Sequence, residues 1–169
     1  MASIPESHRQ TAPRALRCAV LTVSDTRTPE TDRGGQAVAD HLATGGYEVV
    51  QRAIVPDEPQ AVRETLDRWI REVDPQAILI TGGTGIGSRD LTWETLAGLY
   101  TKQLPGYGEL FRMLSYQEIG PAAMLSRATG GLIDRTVVLT MPGSPAAVRL
   151  AMEKLILPEL GHLVQQACS

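Results

Sequence analysis

The sequence predicts an α/β domain built on a largely parallel central sheet. In the first half of the chain, three apolar and partly β-branched runs alternate with segments of helical periodicity. The order strand, helix, strand, helix, strand is expected when helices cross over between parallel strands. The third apolar run also ends at four glycines within six residues. Glycine lets the backbone turn sharply and approach a ligand closely, so a binding function at a strand end is expected.

The composition is that of one soluble globular domain with a substantial core. The chain has 169 residues, of which 43% are hydrophobic and 21% are charged. Its net charge of −3 leaves no basic footprint, so no nucleic-acid partner is expected. The sequence shows no signal-peptide pattern and no apolar run of membrane length, which predicts a cytoplasmic protein without a membrane partner. The two cysteines, Cys18 and Cys168, lack metal-like spacing and fit a reducing compartment.

The first part of the chain alternates strand and helix. Residues 1–14 are polar and contain two prolines, which predicts a flexible N-terminal tail. Residues 15–23 follow as the first strand. A helix is then expected from Asp32 to about residue 43, and the two glycines that follow would end it. Residues 47–55 form the second predicted strand.

The helix after the second strand has the clearest periodicity. Its apolar residues recur every three or four positions and form one stripe: Val62, Leu66, Ile70 and Val73. Asp57 is the expected N-cap, with Gln60 as its partner in a capping box. The third strand, residues 77–80, leads into the glycine loop. Thr92 is the expected N-cap of a short helix that runs to Leu99.

The second half of the chain contains shorter elements. Residues 109–119 are predicted to form a helix whose inward residues are Leu110, Met113, Leu114 and Ile119. A short helix over 121–127 and two strands, 132–133 and 136–141, follow. Ser144 and Pro145 fit the N-cap and first position of a last helix. The stripe of that helix comprises Val148, Ala151, Leu155 and Ile156.

Several polar loops are expected at one edge of the sheet. In open α/β sheets, ligands bind in the crevice outside the carboxyl ends of the strands. The loops over 24–32, 56–59 and 82–90 follow the three predicted parallel strands. Residues 142–144 join them if the last strand also runs parallel. The convergence of these loops is the main physical argument for a functional site.

The glycine loop is not one of the common nucleotide-binding motifs. Counted from Gly83, the sixth position holds Ser88, where a dinucleotide fingerprint has a glycine. Gly82 and Gly87 have the spacing of a Walker A loop, but Ser88 replaces the phosphate-binding lysine. A tight strand-to-helix connection is the structural alternative. Four glycines exceed what a turn needs, so we favour a nest of N–H groups that holds a phosphate.

Two acidic residues stand at the expected edge. Asp57 and Asp90 each have a structural interpretation as a helix cap. Together, two carboxylates beside a bound phosphate would hold Mg²⁺, a cation that prefers oxygen ligands. Ser24, Asp25 and Asp32 add polar groups on a third loop, where a solvated loop is an equally good interpretation.

Basic residues near these loops are candidate anion clamps. Arg89, Arg112 and Arg127 qualify, although arginines are usually surface residues. The three histidines are dispersed along the chain without metal-like or triad-like spacing: His8, His41 and His162. The sequence therefore favours neither a zinc site nor a Ser-His-Asp triad.

These motifs together resemble a known family. Residues 81–85 (Thr-Gly-Gly-Thr-Gly), followed by Arg89 and Asp90, resemble the signature of molybdopterin-binding proteins. From Arg17 to about Leu160 the chain resembles the MoaB/MogA family of molybdenum cofactor biosynthesis proteins. Residues 111–120 and the short C-terminus look closest to the MoaB branch. Further matching segments are 21–25, 105–109, 125–127 and 141–144.

The resemblance implies a fold, an assembly and an activity. The implied fold is a three-layer α/β/α domain with a mostly parallel sheet over residues 15–169, usually assembled as a trimer or a dimer of trimers. The implied reaction transfers an adenylyl group from ATP to molybdopterin, with Mg²⁺, and releases pyrophosphate. Asp57 and Asp90 match the catalytic aspartates. The substrate-binding positions implied by the resemblance are Ser24, Asp25, Gly82, Gly83, Thr84, Gly85, Ser88, Arg89, Pro105, Gly106, Glu109, Ser126, Arg127, Pro142, Gly143 and Ser144.

Two alternatives to the enzyme remain open at this point. Some members of the MoaB branch look inactive because their acidic positions are altered, so a non-catalytic molybdopterin-binding or scaffold protein is the first alternative. This chain keeps Asp25, Asp57 and Asp90, which favours an enzyme. The second alternative is a general nucleotide- or sugar-phosphate-binding module. The sequence does not distinguish a molybdenum pathway from a tungsten pathway.

Overall fold

A computed structural model describes residues 16–169 and contains one six-stranded sheet. In chain order the strands are β1 (Arg17–Val23), β2 (Glu48–Val55), β3 (Ala77–Thr81), β4 (Lys102–Gln103), β5 (Gly130–Ile133) and β6 (Thr136–Met141). Their order in the sheet is β2-β1-β3-β6-β5-β4. The strands β2, β1, β3 and β6 run parallel, whereas β5 is antiparallel to both of its neighbours, β6 and β4.

Helices cover both faces of this sheet. They are α1 (Arg33–Thr44), α2 (Pro59–Arg68), α3 (Thr92–Ala97), α4 (Pro105–Ile119), α5 (Pro145–Ala151) and α6 (Leu157–Ala167). A π-helical turn extends α2 through Trp69–Val73, and another joins α5 to α6 through Met152–Ile156. One core contains apolar side chains from α1, α4, α5 and α6, and the other contains side chains from α2 and α3. The predicted three-layer α/β/α fold is confirmed.

The central strand β3 shows why the sequence folds into three layers. All five of its residues are buried, so the run reads as continuously apolar and lacks the polar alternation of a half-exposed strand. Ala77 and Leu79 pack in one core, whereas Ile78 and Ile80 pack in the other. Because side chains alternate across a strand, both faces must be covered by helices.

The last parallel strand brings a fourth loop to the ligand edge. Strand β6 pairs with β3 in parallel, with Thr81 opposite Met141. The loop over 142–144 therefore leaves the sheet beside the glycine loop, as predicted. Ser144 accepts a hydrogen bond at its hydroxyl oxygen from the N–H of Ala147 at 3.2 Å, and Pro145 opens α5. The predicted cap of this helix is confirmed.

Two other predicted caps are wrong. Asp57 does not cap α2, because Glu58 occupies the N-cap position and makes no side-chain cap bond. The Gln60 side chain donates instead to Glu64 at 2.7 Å, one turn further along the helix. Thr92 is the first residue of α3 and not its cap, a position held by Leu91. Both side chains that were expected to cap helices instead lie against the glycine loop.

The predicted inward face of α4 is wrong for three of its four residues, and only Leu114 packs against the core, where it is partly buried. The helix begins at Pro105, and its large apolar residues Leu110, Met113 and Ile119 are 47%, 52% and 60% exposed. Its buried residues are Gly108, Phe111 and Ser115. A Cβ atom on Gly108 would lie 2.4 Å from the carbonyl oxygen of Ala128, so the backbone approaches its neighbour too closely for large side chains.

Smaller differences concern the ends of elements. The segment predicted as a helix over 121–127 is a 3₁₀ helix, Gly120–Leu125. Strand β4 was not predicted, because two exposed residues carry no apolar pattern. The predicted tail over 1–14 lies outside the described residues. Within the described part of the chain, no helix is both long and apolar enough to cross a membrane.

Candidate active site

The glycine loop starts with a backbone conformation that favours glycine. Gly82 and Gly83 have φ angles of +97° and +62°, in the left-handed region. A Cβ atom on Gly82 would lie 2.2 Å from the carbonyl oxygen of Val23. A Cβ atom on Gly83 would lie 2.0 Å from Thr92 Oγ1 and 2.4 Å from Asp57 Oδ2. The loop therefore follows a path that leaves no room for side chains at these two positions.

The same loop presents backbone donors that no protein group uses. The N–H of Gly82 donates to the carbonyl oxygen of Met141 at 3.1 Å. The N–H groups of Gly83, Thr84 and Gly85 make no hydrogen bond to any residue that the structure describes. Thr84 is only 4% exposed, so these donors lie in a concave part of the surface. Buried backbone donors normally have partners, and successive free N–H groups of this kind suit an anion.

Asp57 lies beneath this loop and is 5% exposed. Its Oδ1 accepts a hydrogen bond from the N–H of Leu91 at 3.1 Å. Its Oδ2 has no hydrogen-bond donor in the described part of the chain. Burial raises the pKa of the Asp57 carboxyl, the Leu91 hydrogen bond opposes this rise, and the nearby charges of Asp90 and Asp25 add to it. The site therefore carries negative charge that a bound cation would offset.

Asp90 folds back over the glycine loop. Its Oδ2 accepts a hydrogen bond from the N–H of Gly87 at 2.8 Å. Cβ atoms on Gly85 and Gly87 would lie 2.6 Å and 2.8 Å from that same oxygen. These two glycines are therefore required by the approach of the Asp90 carboxylate. Asp90 does not cap α3 with its side chain, since the N-cap residue of that helix is Leu91.

An ion pair connects two of the loops. Arg89 donates from Nε to Oδ2 of Asp25 at 3.0 Å and from Nη2 to Oδ1 at 3.1 Å. The Asp25 Oδ1 also accepts a hydrogen bond from the N–H of Asp57 at 3.1 Å. The Arg89 guanidinium holds the pKa of Asp25 below its usual value, with the Asp57 N–H also lowering it. Asp25 thus joins the loops after β1, β2 and β3.

Two adjoining cavities open at this edge. A polar cavity of about 530 Å³ contains four aspartates in its wall: Asp25, Asp32, Asp57 and Asp90. A second cavity of about 350 Å³ is mainly apolar and includes Phe111 and Ala123. The residues that line both cavities form the boundary between them: Gly82, Gly83, Asp90, Gly143 and Ser144. This boundary, which we call the glycine ridge, separates a carboxylate-rich chamber from an apolar one.

The structure brings most of the predicted binding residues to these chambers. The polar chamber contains Ser24, whose hydroxyl oxygen accepts hydrogen bonds from the N–H groups of Thr26 and Arg27 at 3.3 Å and 3.2 Å. The apolar chamber contains, among the predicted residues, Thr84, Gly85, Ser126 and Pro142. The predicted residues outside the lining of both cavities are Ser88, Pro105, Gly106, Glu109 and Arg127.

The Arg127 side chain bonds to protein groups and lines neither chamber. Its guanidinium donates to the carbonyl oxygens of Gly85 at 2.7 Å and Asp90 at 2.6 Å, and it also pairs with the carboxylate of Glu94. The arginine therefore connects the middle of the glycine loop, at Gly85, to its end at Asp90. Arg112, another candidate anion clamp, donates to the carbonyl oxygen of Ala128 at 3.3 Å.

Some residues that line the chambers were not predicted from the sequence. Phe111 and Ser115 line the apolar chamber from α4, where their four-residue spacing was the available signal. Asp32 was predicted as a polar loop residue at the start of the first helix, and it is only 5% exposed. Its Oδ1 caps α1 by accepting from the N–H of Gly35 at 2.8 Å, and its Oδ2 accepts from the hydroxyl of Thr22 at 2.7 Å. Asp32 is thus a structural carboxylate in the wall of the polar chamber.

The donor set of the polar chamber fits Mg²⁺ shared with a substrate. Within residues 16–169, no group of three or more His, Cys, Asp or Glu side chains is arranged to hold a metal alone. Mg²⁺ in phosphoryl-transfer sites is usually held by one or two carboxylates together with substrate phosphates. Asp57, with one unpartnered oxygen, and Asp90 in the same chamber match that requirement.

Comparison of the sequence with known families gives one long match. Residues 19–162 match the family model described as a probable molybdopterin binding domain. The chain is 48% identical over 162 residues to molybdenum cofactor biosynthesis protein B of Bacillus subtilis, with 95% of each chain covered. It is 49% identical over 157 residues to the protein of that name from Bacillus cereus, covering 92% of this chain and 93% of the relative.

Solved structures share the fold. A crystal structure of molybdenum cofactor biosynthesis protein B has a TM-score of 0.89 at 48% identity, covering 94% of this chain and 99% of that one. The tungsten cofactor synthesizing protein MoaB from Pyrococcus furiosus has a TM-score of 0.84 at 37% identity, covering 94% and 100%. The family match, the relatives and the shared fold agree with one another. The chain belongs to the MoaB/MogA family of molybdenum cofactor biosynthesis proteins.

Proposed function

We propose that this protein transfers an adenylyl group from ATP to molybdopterin, producing adenylyl-molybdopterin and pyrophosphate. The observation that carries this proposal is the pair of adjoining chambers, one carboxylate-rich and one apolar, that meet at the glycine ridge. A reaction that joins two phosphate-bearing substrates needs their reactive groups held side by side, and two adjoining compartments provide this. The family and the names of the relatives support the assignment to molybdenum cofactor biosynthesis.

The two chambers suit different parts of the substrates. The apolar chamber contains the ring of Phe111 and the small side chains of Ala122 and Ala123, which leave space for a flat heterocycle. The polar chamber contains Asp57, Asp90 and Gly83 and suits phosphate groups with a cation. Both ATP and molybdopterin carry a flat ring system and phosphate. The reacting phosphates would therefore meet at the glycine ridge.

The chemistry requires little from acid or base residues. The terminal phosphate of molybdopterin is ionised at neutral pH, since the second pKa of a phosphate monoester is about 6. One of its oxygens forms a bond to the α-phosphorus of ATP, while the bond from that phosphorus to the β-phosphate oxygen breaks. Pyrophosphate leaves with that bonding electron pair. Catalysis then consists of positioning and charge neutralisation.

The residues at the boundary would divide these tasks. The free N–H groups of Gly83, Thr84 and Gly85 would donate to phosphate oxygens. Asp57 and Asp90 would hold Mg²⁺, with the N–H of Leu91 fixing the orientation of the Asp57 carboxylate. Mg²⁺ bound there would neutralise the charge on the phosphates as the bond to pyrophosphate breaks. Arg89 would hold the loops in register through Asp25.

We also propose that the protein works as a homo-oligomer, either a trimer or a dimer of trimers. The support is an exposed apolar surface. In the described part of the chain, the exposed large apolar side chains all lie between positions 86 and 125: Ile86, Trp93, Leu110, Met113, Tyr116, Ile119, Met124 and Leu125. Six of these eight lie on α4 and the 3₁₀ helix that follows it, and exposed apolar surface of this kind commonly marks a protein–protein interface. Ile119 and Leu125 also line the apolar chamber, so this surface continues into the candidate site.

A turnover assay tests the proposed reaction. Purified protein is mixed with ATP, Mg²⁺ and molybdopterin, and pyrophosphate release is measured. We expect turnover by the natural sequence and a loss of about 100-fold or more in Asp57→Asn and Asp90→Asn, because each removes a charge beside the reacting phosphates. Asp67→Asn, at an exposed position of α2, is the matched control and should keep full activity.

The same assay, with ligand binding measured alongside, separates the alternatives. Tight molybdopterin binding without pyrophosphate release on adding ATP would indicate a binding or scaffold protein in place of an enzyme. Absence of molybdopterin binding, with binding of other nucleotides or sugar phosphates retained, would indicate a general phosphate-binding module. Full turnover in both Asn variants would contradict the roles of Asp57 and Asp90.

A further inference from the structure

Thr92 carries a buried hydroxyl that no group in the protein uses. It is the first residue of α3 and is 0% exposed. Its Oγ1 has no hydrogen-bond partner in the part of the chain that the structure describes. The other threonine of this short helix behaves differently, since the Thr95 hydroxyl donates to the carbonyl oxygen of Leu91 at 2.8 Å. Burial of a hydroxyl without a partner costs free energy, and valine would fill the same space without that cost.

The position of this hydroxyl suggests its use. The point where Gly83 would carry a Cβ atom is 2.0 Å from Thr92 Oγ1 and 2.4 Å from Asp57 Oδ2. The hydroxyl and the carboxylate oxygen therefore lie on the same side of Gly83, at most about 4.4 Å apart, and they are not hydrogen-bonded to each other. The other carboxylate oxygen of Asp57 already accepts from the N–H of Leu91 at 3.1 Å. Two consecutive residues thus face the two oxygens of one carboxylate.

We propose that Thr92 is a positioning residue for Asp57. With substrate phosphates and Mg²⁺ bound, the Thr92 hydroxyl donates a hydrogen bond to Asp57 Oδ2, while the N–H of Leu91 keeps Oδ1. We expect side-chain rotation to be enough to form this bond, because the two oxygens are at most about 4.4 Å apart. The carboxylate plane is then held at both oxygens, and a second lone pair of Oδ2 stays directed at the chamber. This inference rests on the proposed function, because it assigns Thr92 to the cation site of that reaction.

The backbone at this point supports the role. The N–H of Thr92 donates to the carbonyl oxygen of Gly83 at 3.3 Å, so the threonine is fixed to the glycine loop as well as to α3. Gly83 has no side chain and therefore leaves the space between the hydroxyl and Asp57 open. A carboxylate that holds a metal is itself generally held by further hydrogen bonds. Removal of such a partner typically weakens metal binding or activity by about 10- to 100-fold.

The test compares variants that separate the hydroxyl from the shape of the side chain. Thr92→Val keeps the shape and removes the hydroxyl, whereas Thr92→Ser keeps the hydroxyl. Thr95→Val is the matched control, because it removes a hydroxyl from the same helix that bonds only within the helix. The probe is α,β-methylene-ATP, which cannot release pyrophosphate, titrated by calorimetry in the presence of Mg²⁺ and again with EDTA. Thermal unfolding of each free protein is measured alongside.

We expect Thr92→Val to weaken Mg²⁺-dependent binding of the analogue by about 10- to 100-fold. Its melting temperature should be unchanged or higher, since the free protein loses only an unpartnered hydroxyl. Thr92→Ser and Thr95→Val should bind as the natural sequence does, and all four proteins should bind equally in EDTA. A merely structural role would instead lower the melting temperature of Thr92→Val and weaken binding equally with and without Mg²⁺.

Two results would overturn the inference. Binding by Thr92→Val as tight as that of the natural sequence would show that the hydroxyl is not used, while leaving the proposed reaction intact. Absence of any Mg²⁺-dependent binding by the natural sequence would contradict the proposed function itself, and the role of Thr92 with it.

Discussion

Arg89 donates two hydrogen bonds to the carboxylate of Asp25, from Nε at 3.0 Å and from Nη2 at 3.1 Å. This ion pair joins the glycine loop to the loop after β1. The two residues are 64 positions apart in sequence. Asp25 also accepts from the N–H of Asp57 at 3.1 Å, which extends the connection to a third loop. The relative placement of the three loops therefore depends on one exposed ion pair as well as on the sheet.

Replacing Arg89 by lysine should impair substrate binding more than stability. Lysine offers a single point charge and cannot reproduce the two parallel N–H bonds of a guanidinium. The pair is solvent-exposed, so its loss should leave the melting temperature nearly unchanged. We expect the KM for ATP to rise severalfold, as measured by pyrophosphate release. Arg149→Lys, which alters an exposed arginine that pairs with Glu118 and lines neither chamber, should change neither quantity.

An alanine at Gly83 should damage both the fold and the site. A non-glycine residue at a φ of +62° costs about 1–2 kcal/mol of folding free energy. The new Cβ atom would also lie 2.0 Å from Thr92 Oγ1 and 2.4 Å from Asp57 Oδ2. Gly46→Ala is the matched control, because Gly46 has a φ of +81° but no heavy atom within 4 Å of the new Cβ.

Chemical denaturation and nucleotide binding distinguish the two glycine variants. Gly46→Ala should lose only the backbone cost and keep full binding of ATP with Mg²⁺. Gly83→Ala should lose more stability than Gly46→Ala and should bind ATP weakly. Equal losses of stability in the two variants, with binding retained, would show that the loop relaxes around the added methyl group.

Much of the fold could be predicted because buried strands have a recognisable, mainly apolar sequence. β3 and β6 are mainly apolar and buried at every residue, and the alternation of such strands with helices indicates a parallel sheet. The side of the sheet on which the loops converge follows from strand direction alone. The site could be located to the same extent: Asp57, Asp90 and the glycine loop meet as the loop positions indicated.

The parts that could not be predicted depend on contacts between distant residues. Asp57 had the local sequence of a helix cap, but its carboxylate bonds to Leu91, 34 residues later. Local propensity cannot reveal such a partner. The periodicity of α4 was misleading because its exposed side is apolar, so Leu110 and Met113 imitate a core stripe. Periodicity shows that a surface is apolar without showing whether the same chain covers it.

Charged residues on the exposed apolar surface of α4 and the following 3₁₀ helix should break up the proposed oligomer. Met113 and Met124 are 52% and 75% exposed, so lysine at these positions is accommodated in a monomer but not in an apolar interface. We expect light scattering after gel filtration to show a multiple of 18.2 kDa for the natural sequence and a lower mass for Met113→Lys/Met124→Lys. Gln166→Lys, at an exposed position of α6, should keep the natural mass. A monomeric natural protein would contradict the proposal.

The two cysteines should differ sharply in reactivity. Cys18 is buried in β1, and burial raises the pKa of its thiol to about 12. Cys168 is exposed. At pH 9 we expect a thiol reagent to modify one cysteine per folded chain and two per chain in denaturant. The Cys168→Ser variant should react with the reagent only after it is unfolded. Rapid labelling of Cys18 in the folded protein would contradict its buried position.

The shifted thiol pKa also predicts the direction of a pH effect on stability. In unfolded chains a cysteine has a pKa of about 8.5, so the unfolded state loses this proton at a lower pH than the folded state. Between that pH and about 12, the folded chain binds more protons than the unfolded chain. The contribution of Cys18 to the free energy of unfolding therefore falls as pH rises through this window. Cys18→Ala should flatten this alkaline slope, and an unchanged slope would exclude the thiol as its source.

The buried carboxylate of Asp57 should reduce the stability of the ligand-free protein. Burial raises the pKa of Asp57, so the folded state holds this proton more strongly than the unfolded state does. The free energy of unfolding should then fall as pH rises from the unfolded pKa, about 4, through the higher folded pKa. At neutral pH, without a bound cation, burial of the charged Asp57 carboxylate therefore lowers the free energy of unfolding. We therefore expect Asp57→Asn to melt at a higher temperature than the natural sequence at pH 7 in EDTA, with the difference vanishing below pH 4.

Adding Mg²⁺ and ATP should reverse that order. A ligand stabilises the folded state by an amount that grows with its concentration relative to Kd, so only a protein that binds it gains. The natural sequence should rise in melting temperature, whereas Asp57→Asn should not, because the unpartnered oxygen that would face the cation has become an amide. Asp67→Asn should follow the natural sequence under both conditions. Equal gains for Asp57→Asn and the natural sequence would mean that the cation binds elsewhere and that the buried charge serves another purpose.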